Sequence, residues 1–171
     1  ENVIAIKIDG ASKEEYSWGL RIGFLTFGSK GLKRIHYEAL EQKCIGLIRS
    51  SISSANRLSQ TLLLRALNNY NHEEEKKSQF LTLRSRYKRI VDYISYTPRN
   101  TSFYPLPFNS GYFMTFKVKK NAHVLRRHLI DNYSIGTIAF GDHYLRIAFS
   151  RIPTENIEDV YKMLYIAADE I

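Results

Sequence analysis

The sequence predicts an α/β chain in two sections: two short apolar strands with long helices, then a small α+β unit. Three observations lead there. Residues 2–8 (NVIAIKI) and 20–27 (LRIGFLTF) are short apolar runs, of the kind found as buried strands inside a helix-covered sheet. Long stretches of helical spacing follow through the middle of the chain. After Pro98 the pattern changes to short strands alternating with short helices. The 171 residues suit one domain or one and a half. The expected division is a first section over residues 1–75, a linking helix over 76–98, and a small C-terminal domain over 99–171.

Taken in order, the two apolar runs flank a segment around Lys13 that is too polar and too rich in small residues to be a strand. Gly28 to Gly31 breaks the chain, and Ile35, Ala39, Leu40, Leu47 and Ile48 then recur near helical spacing. The run Arg49 to Asn56 (RSSISSAN) interrupts that helix, because serines compete for backbone hydrogen bonds and favour turns and N-caps. Leu58, Leu62, Leu63, Ala66 and Leu67 mark a second helix. After the charged EEEKK, Phe80, Leu83, Tyr87, Ile90, Val91 and Ile94 mark a third, which Pro98 should stop.

The stretch PRNTSFYPLPFNSG is expected to be a loop from its Pro, Asn and Gly content. GYFMTFKV (111–118) alternates as a half-buried strand does, and AHVLRRHLIDN is a short helix. SIGTIAF and YLRIAFS are strands joined at Gly141-Asp142, a hairpin signal. The closing helix takes Thr154 as its N-cap and Glu155 and Glu158 in its first turn. Ile157, Val160, Leu164 and Ala168 form one stripe along it.

The composition narrows the function classes. No apolar run is long enough to span a bilayer, and no charged-then-apolar signal pattern opens the sequence. Cys44 is the only cysteine, which excludes a disulfide framework and fits a reducing cytoplasm; helix packing is its expected role. The five histidines, His36, His72, His123, His128 and His143, show no metal-ligand spacing, so no metal is expected. The net charge of +8 could attract anions, but the basic residues are scattered along helical stretches and describe a solvated surface.

One stretch does not fit a bland surface reading. In DGASKEEYSWGLRIGF, Lys13 stands among small residues, and Arg21 follows eight positions later inside a Gly-x-Arg-x-Gly frame. This stretch resembles the cofactor-lysine signature of pyridoxal-phosphate-dependent aminotransferases of classes I and II, in which Ser-Lys, a spacer and Gly-x-Arg-x-Gly follow one another. The tail YLRIAFSRIPTENIEDVYKML resembles the same family's C-terminal element, a strand arginine followed by a helix with an acidic start. LIRSSISSANRLSQ falls where that family has a serine-containing break between two helices. The resemblance runs across essentially the whole chain. Short motifs match by chance often, and the agreement of three in order and spacing is what carries weight.

The resemblance implies a set of roles. Lys13 would form the Schiff base with pyridoxal 5'-phosphate and later move a proton between substrate and cofactor carbons. Arg21 would hold the phosphate, since a guanidinium offers a rigid fork of donors; without the motif, a strand-end salt bridge would be the commoner role. Arg146 would grip the substrate α-carboxylate; by strand alternation alone it would simply point to solvent. Arg49 and Ser53 would lie in the loop that reaches a partner subunit's site, although the serines could merely cap a helix. Tyr104 and Tyr112 flank a loop that could approach the cofactor. The implied reaction is amino-group transfer between an amino acid and a 2-oxo acid, in a cytoplasmic homodimer, with neither membrane nor nucleic acid as partner.

There are departures too. Gly10 stands where many members carry a hydroxyl that touches the phosphate. The acidic partner of the pyridine nitrogen, the stacking aromatic and the phosphate-binding turn have no counterpart here. The chain is therefore expected to be the C-terminal portion of such a protein: the last part of the large domain plus the small α+β domain. By itself it is expected to be inactive. Two other classes stay open at this point: the aminotransferase-like effector domain of a transcription regulator, and a basic nucleic-acid-binding module, which would bind in a strongly salt-dependent way without cofactor.

Overall fold

A computed structural model describes residues 3–97 and 102–171. The chain divides into two compact units, Glu1–Lys77 and Ser78–Ile171. Among the described residues no helix is long and apolar enough to cross a membrane.

The first unit opens with strand β1 (Ala5–Gly10) and the four-residue helix α1 (Ala11–Glu14), followed by a 3-10 turn at Trp18–Leu20. Strand β2 (Gly23–Gly28) then pairs antiparallel with β1, from Ala5 opposite Gly28 to Gly10 opposite Gly23. Two expectations change here. The second strand starts at Gly23 rather than at residue 20, because Arg21 adopts a left-handed backbone (φ 54°) that a strand cannot contain. The strands are also not buried: Ile6, Ile8, Phe24 and Leu25 are all exposed, since β1 and β2 pair only with each other in a two-stranded sheet. Asn2, part of the expected first strand, lies outside the described residues.

Helices α2 (Arg34–Ser51) and α3 (Arg57–Leu67) follow the periodicity. The Tyr37 hydroxyl ties α2 to the turn before it, donating to the Ser29 carbonyl (3.1 Å) and accepting from the Ser29 N–H (3.0 Å). The serine-rich break is shorter than expected, since α2 continues through Arg49, Ser50 and Ser51 and only residues 52–56 separate the helices. The Ser50 and Ser51 hydroxyls both donate to the Leu47 carbonyl, which loosens the end of α2, and Ser53 turns left-handed (φ 69°). The cap of α3 is Asn56, whose side chain accepts from the Ser59 N–H at 3.2 Å.

Helix α4 (His72–Tyr96) begins in the first unit, and most of it belongs to the second. It ends before Pro98, which lies outside the described residues. The second unit is a four-stranded antiparallel sheet in the order β3-β4-β6-β5, formed by β3 (Phe103–Pro105), β4 (Met114–Val118), β5 (Ile138–Phe140) and β6 (Tyr144–Ile147). Strand β3 corrects the expected loop. Pro105 ends a short edge strand, where its missing N–H costs no ladder bond, while Phe103 is fully buried and stacks on Phe116 with ring centroids 4.2 Å apart. Beyond β3, the described part of that stretch is irregular, as expected.

Alternation sorts this sheet into two faces. Met114, Phe116 and Val118 on β4, and Leu145 and Ile147 on β6, enter one core. Ile90 of α4, Leu125 and Leu129 of α5 (Ala122–Tyr133), and Ile157, Tyr161 and Leu164 of α6 (Ile157–Glu170) complete it. Asn121 caps α5 by accepting from the N–H groups of His123 and Val124. Gly141, at φ 54°, makes the expected β5–β6 hairpin turn. Thr154 is not the cap of α6. It opens a 3-10 turn (Thr154–Asn156) that leads into the helix, and no side chain caps the helix start.

Candidate functional site

The loop carrying Lys13 and Arg21 is closed at its base by the Gly10–Gly23 pair and by the Ala11 N–H donating to the Ile22 carbonyl at 3.2 Å. A Cβ at Gly23 would lie 3.4 Å from the Asp9 carbonyl, at the near edge of ordinary contact, and the space around Gly19 is open. Ala11, buried, is the hub of the loop. Its carbonyl accepts from the Glu15 N–H (3.2 Å), the Ser17 N–H (3.4 Å) and the Ser17 hydroxyl (2.8 Å).

Lys13 sits in the last turn of α1 and is exposed. Arg21 is also exposed, and its Nη1 donates a long bond (3.4 Å) to the Trp18 carbonyl. It forms no salt bridge among the described residues, in contrast to the strand-end pairing that an arginine without a motif would make. A left-handed backbone is uncommon for a residue with a side chain, and the loop contains two such residues, Tyr16 (φ 50°) and Arg21. Arg21 also borders a groove of about 430 Å³, whose far wall is the α3 face bearing Gln60, Leu63 and Leu67.

The loop is anchored at a second point that local sequence did not disclose. The Glu15 carboxylate lies between two basic side chains of α4, with Oε1 2.9 Å from Lys76 Nζ and Oε2 2.9 Å from His72 Nε2. The bond from Lys76 is the main reason the carboxyl is held below its usual range, and it raises the lysine in turn. The two partners are far apart in sequence, so no motif spacing could have revealed the contact.

In the second unit, Arg146 lies on β6 between β4 and β5, opposite Thr115 and Ile138. It faces away from the core occupied by Leu145 and Ile147. It does not, however, simply point to water. Its guanidinium carbon sits 4.7 Å from the centre of the Phe113 ring, and its Nε is buried without a hydrogen-bond partner among the described residues. Phe113 as its stacking partner was not anticipated, because its contact depends on sheet register.

The remaining candidates resolve in different ways. Arg49 and Ser53 bond to each other, Nη1 to Oγ at 2.8 Å, at the end of α2. Tyr104 is on β3 and exposed. His128 bonds to Glu170 (2.7 Å), and His143 Nδ1 lies within hydrogen-bond distance of the Val118 and Lys120 carbonyls.

No protein-family profile matches the chain, and no curated protein matches it in sequence. Solved structures do. An aminotransferase from Anaerococcus prevotii superposes with a TM-score of 0.74 at 20% identity, over 98% of this chain and 40% of its own. The α-aminoadipate aminotransferase from Thermus thermophilus, solved with N-(5'-phosphopyridoxyl)-L-leucine, gives 0.74 at 17% identity, over 98% of this chain and 42% of its own. The alanine aminotransferase from Pyrococcus furiosus gives 0.72 at 16% identity, over 100% of this chain and 44% of its own. The chain thus spans about 40% of the length of the structures it matches. Its fold is that of the C-terminal part of an aminotransferase, with two small sheets and long helices.

Proposed function

We propose that this chain is the lysine-bearing portion of a pyridoxal-phosphate-dependent aminotransferase that moves an amino group between an amino acid and a 2-oxo acid. One observation carries the reading. A single loop, closed by the Gly10–Gly23 pair, presents a primary amine and a guanidinium on a fold shared with aminotransferases. The donor set suits the cofactor: an amine for its aldehyde and a fork of N–H donors for its phosphate. In the second unit, taken by itself, Arg146 carries a guanidinium of the kind that binds a carboxylate.

When bound, pyridoxal phosphate supplies the electron sink for breaking bonds at the amino acid α-carbon. Lys13 would be the residue that holds it, through Nζ, and the same amine would move a proton at the substrate, general acid–base work worth about 10² to 10⁴ in rate. Arg21 would hold the phosphate through its fork of N–H donors. Arg146 orients the substrate through its α-carboxylate, and Phe113 keeps the guanidinium plane in place. The ring-binding groups lie outside these residues, so the chain alone is inactive and the whole protein, as a homodimer, is the catalyst.

Incubating the whole protein with pyridoxal phosphate, a ¹⁵N-labelled amino acid panel and 2-oxoglutarate tests this. Label should appear on the new amino acid and disappear with Lys13→Ala. Transfer that survives Lys13→Ala, or none with any donor, would overturn the reading.

A further inference from the structure

We propose that Glu15 is a positioning residue for Lys13, acting through the ion-pair clamp it forms with Lys76 and His72 at the start of α4; this rests on the reading of Lys13 as the cofactor lysine. Helix α1 has only four residues, far below the length at which a helix holds itself together in water. What grips the two ends of α1 therefore bears directly on where Lys13 is carried. At one end the grip is the Ala11–Ile22 bond and the glycine pair beneath it. At the other it is Glu15, two residues beyond Lys13.

The clamp is built to hold. The Glu15 and His72 side chains are only 15% and 16% exposed, and Lys76 is 35% exposed. Glu15 Oε1 is hydrogen-bonded to Lys76 Nζ at 2.9 Å, while Oε2 lies 2.9 Å from His72 Nε2 without making a hydrogen bond among the described residues, so rotating the side chain breaks the Lys76 bond. The residue next to it, Tyr16, adopts a left-handed backbone. Such a conformation persists only where its surroundings fix it, and here it is flanked by the Glu15 clamp and the Ser17–Ala11 bonds. Releasing Glu15 would let Tyr16 relax and the C-terminal end of α1 swing, carrying Lys13 with it.

The test compares wild type, Glu15→Gln and Lys76→Met in the whole protein, with two readouts. Backbone amide exchange should accelerate about tenfold over residues 11–22 in both variants, the change expected from losing one charge-assisted hydrogen bond, while the second unit stays as protected as before. Peptide mapping after pyridoxal phosphate and borohydride should show the share of adduct on Lys13 falling several-fold relative to exposed Lys162. A merely structural role would lower stability without moving that share. Lys76→Arg, which keeps a cationic donor beside Glu15 Oε1 and adds no lysine, should leave both readouts near wild type. Unchanged exchange over 11–22, or an unchanged Lys13 share despite faster exchange, would overturn the positioning role. Absence of a preferred Lys13 adduct in wild type would instead overturn the cofactor reading on which it rests.

Discussion

Replacing Arg146 by Met should make the second unit more stable while weakening the carboxylate binding proposed for it. In the native chain the buried Nε makes no hydrogen bond among the described residues, and an unsatisfied buried donor costs about 1–3 kcal/mol. Against that stands the contact with Phe113, 4.7 Å from guanidinium carbon to ring centre. Phe113 is 38% exposed, which puts this cation–π interaction near the lower end of the range, about 0.5–1 kcal/mol. Met keeps the apolar stem and places a sulfur near the same ring, recovering part of that loss. The balance is a gain of up to about 2 kcal/mol, equivalent to about 4–8 °C of Tm per kcal/mol for a unit of this size. Urea and thermal unfolding followed by near-ultraviolet circular dichroism would measure it. The KM for the amino acid substrate in the whole protein should meanwhile rise by about 30-fold or more, as when one partner of a buried charge pair is removed. A loss of stability greater than about 1 kcal/mol would refute the reasoning, because it would mean that the guanidinium is well satisfied where it lies.

Two further predictions concern charge and backbone. Burial raises the hydroxyl of Tyr161 and pushes that of Tyr165 up to about 12, so neither should ionise at pH 10–11 while the unit is folded. Because the folded value lies above the unfolded one, the stability they contribute is complete below pH about 10 and is lost as pH rises towards 12; tyrosinate absorbance should lag that of the exposed tyrosines and jump on unfolding. Arg21→Gly should leave the loop fold intact or stabilise it by up to about 1 kcal/mol, since glycine adopts the left-handed backbone without strain. The same change should weaken cofactor retention, read as faster loss of pyridoxal phosphate on dialysis.

How much was legible in the sequence depended on the range of the physics involved. Helices α2 and α3 and the Gly141 hairpin are local matters of spacing and turn chemistry, and they stand where the residues put them. Strand β3 was hidden because its three residues sit among prolines, and only pairing with β4 makes them a strand. The apolar runs of β1 and β2 suggested burial, yet apolarity says nothing about whether a covering layer lies in the same stretch of chain. At the site, the spacing of Lys13 and Arg21 is a local signal and marked the loop. The left-handed backbone of Arg21, the Phe113 stack on Arg146 and the reach of Glu15 to Lys76 arise from tertiary geometry, which no spacing in the motif encodes.

The most direct measurement of the central claim is peptide mapping of the whole protein after pyridoxal phosphate has been added and the link fixed with borohydride. One dominant modified peptide is expected, the one containing Lys13, and it should disappear in Lys13→Ala without a new site replacing it. A dominant adduct on any other lysine, or adducts spread evenly over the exposed lysines, would contradict it.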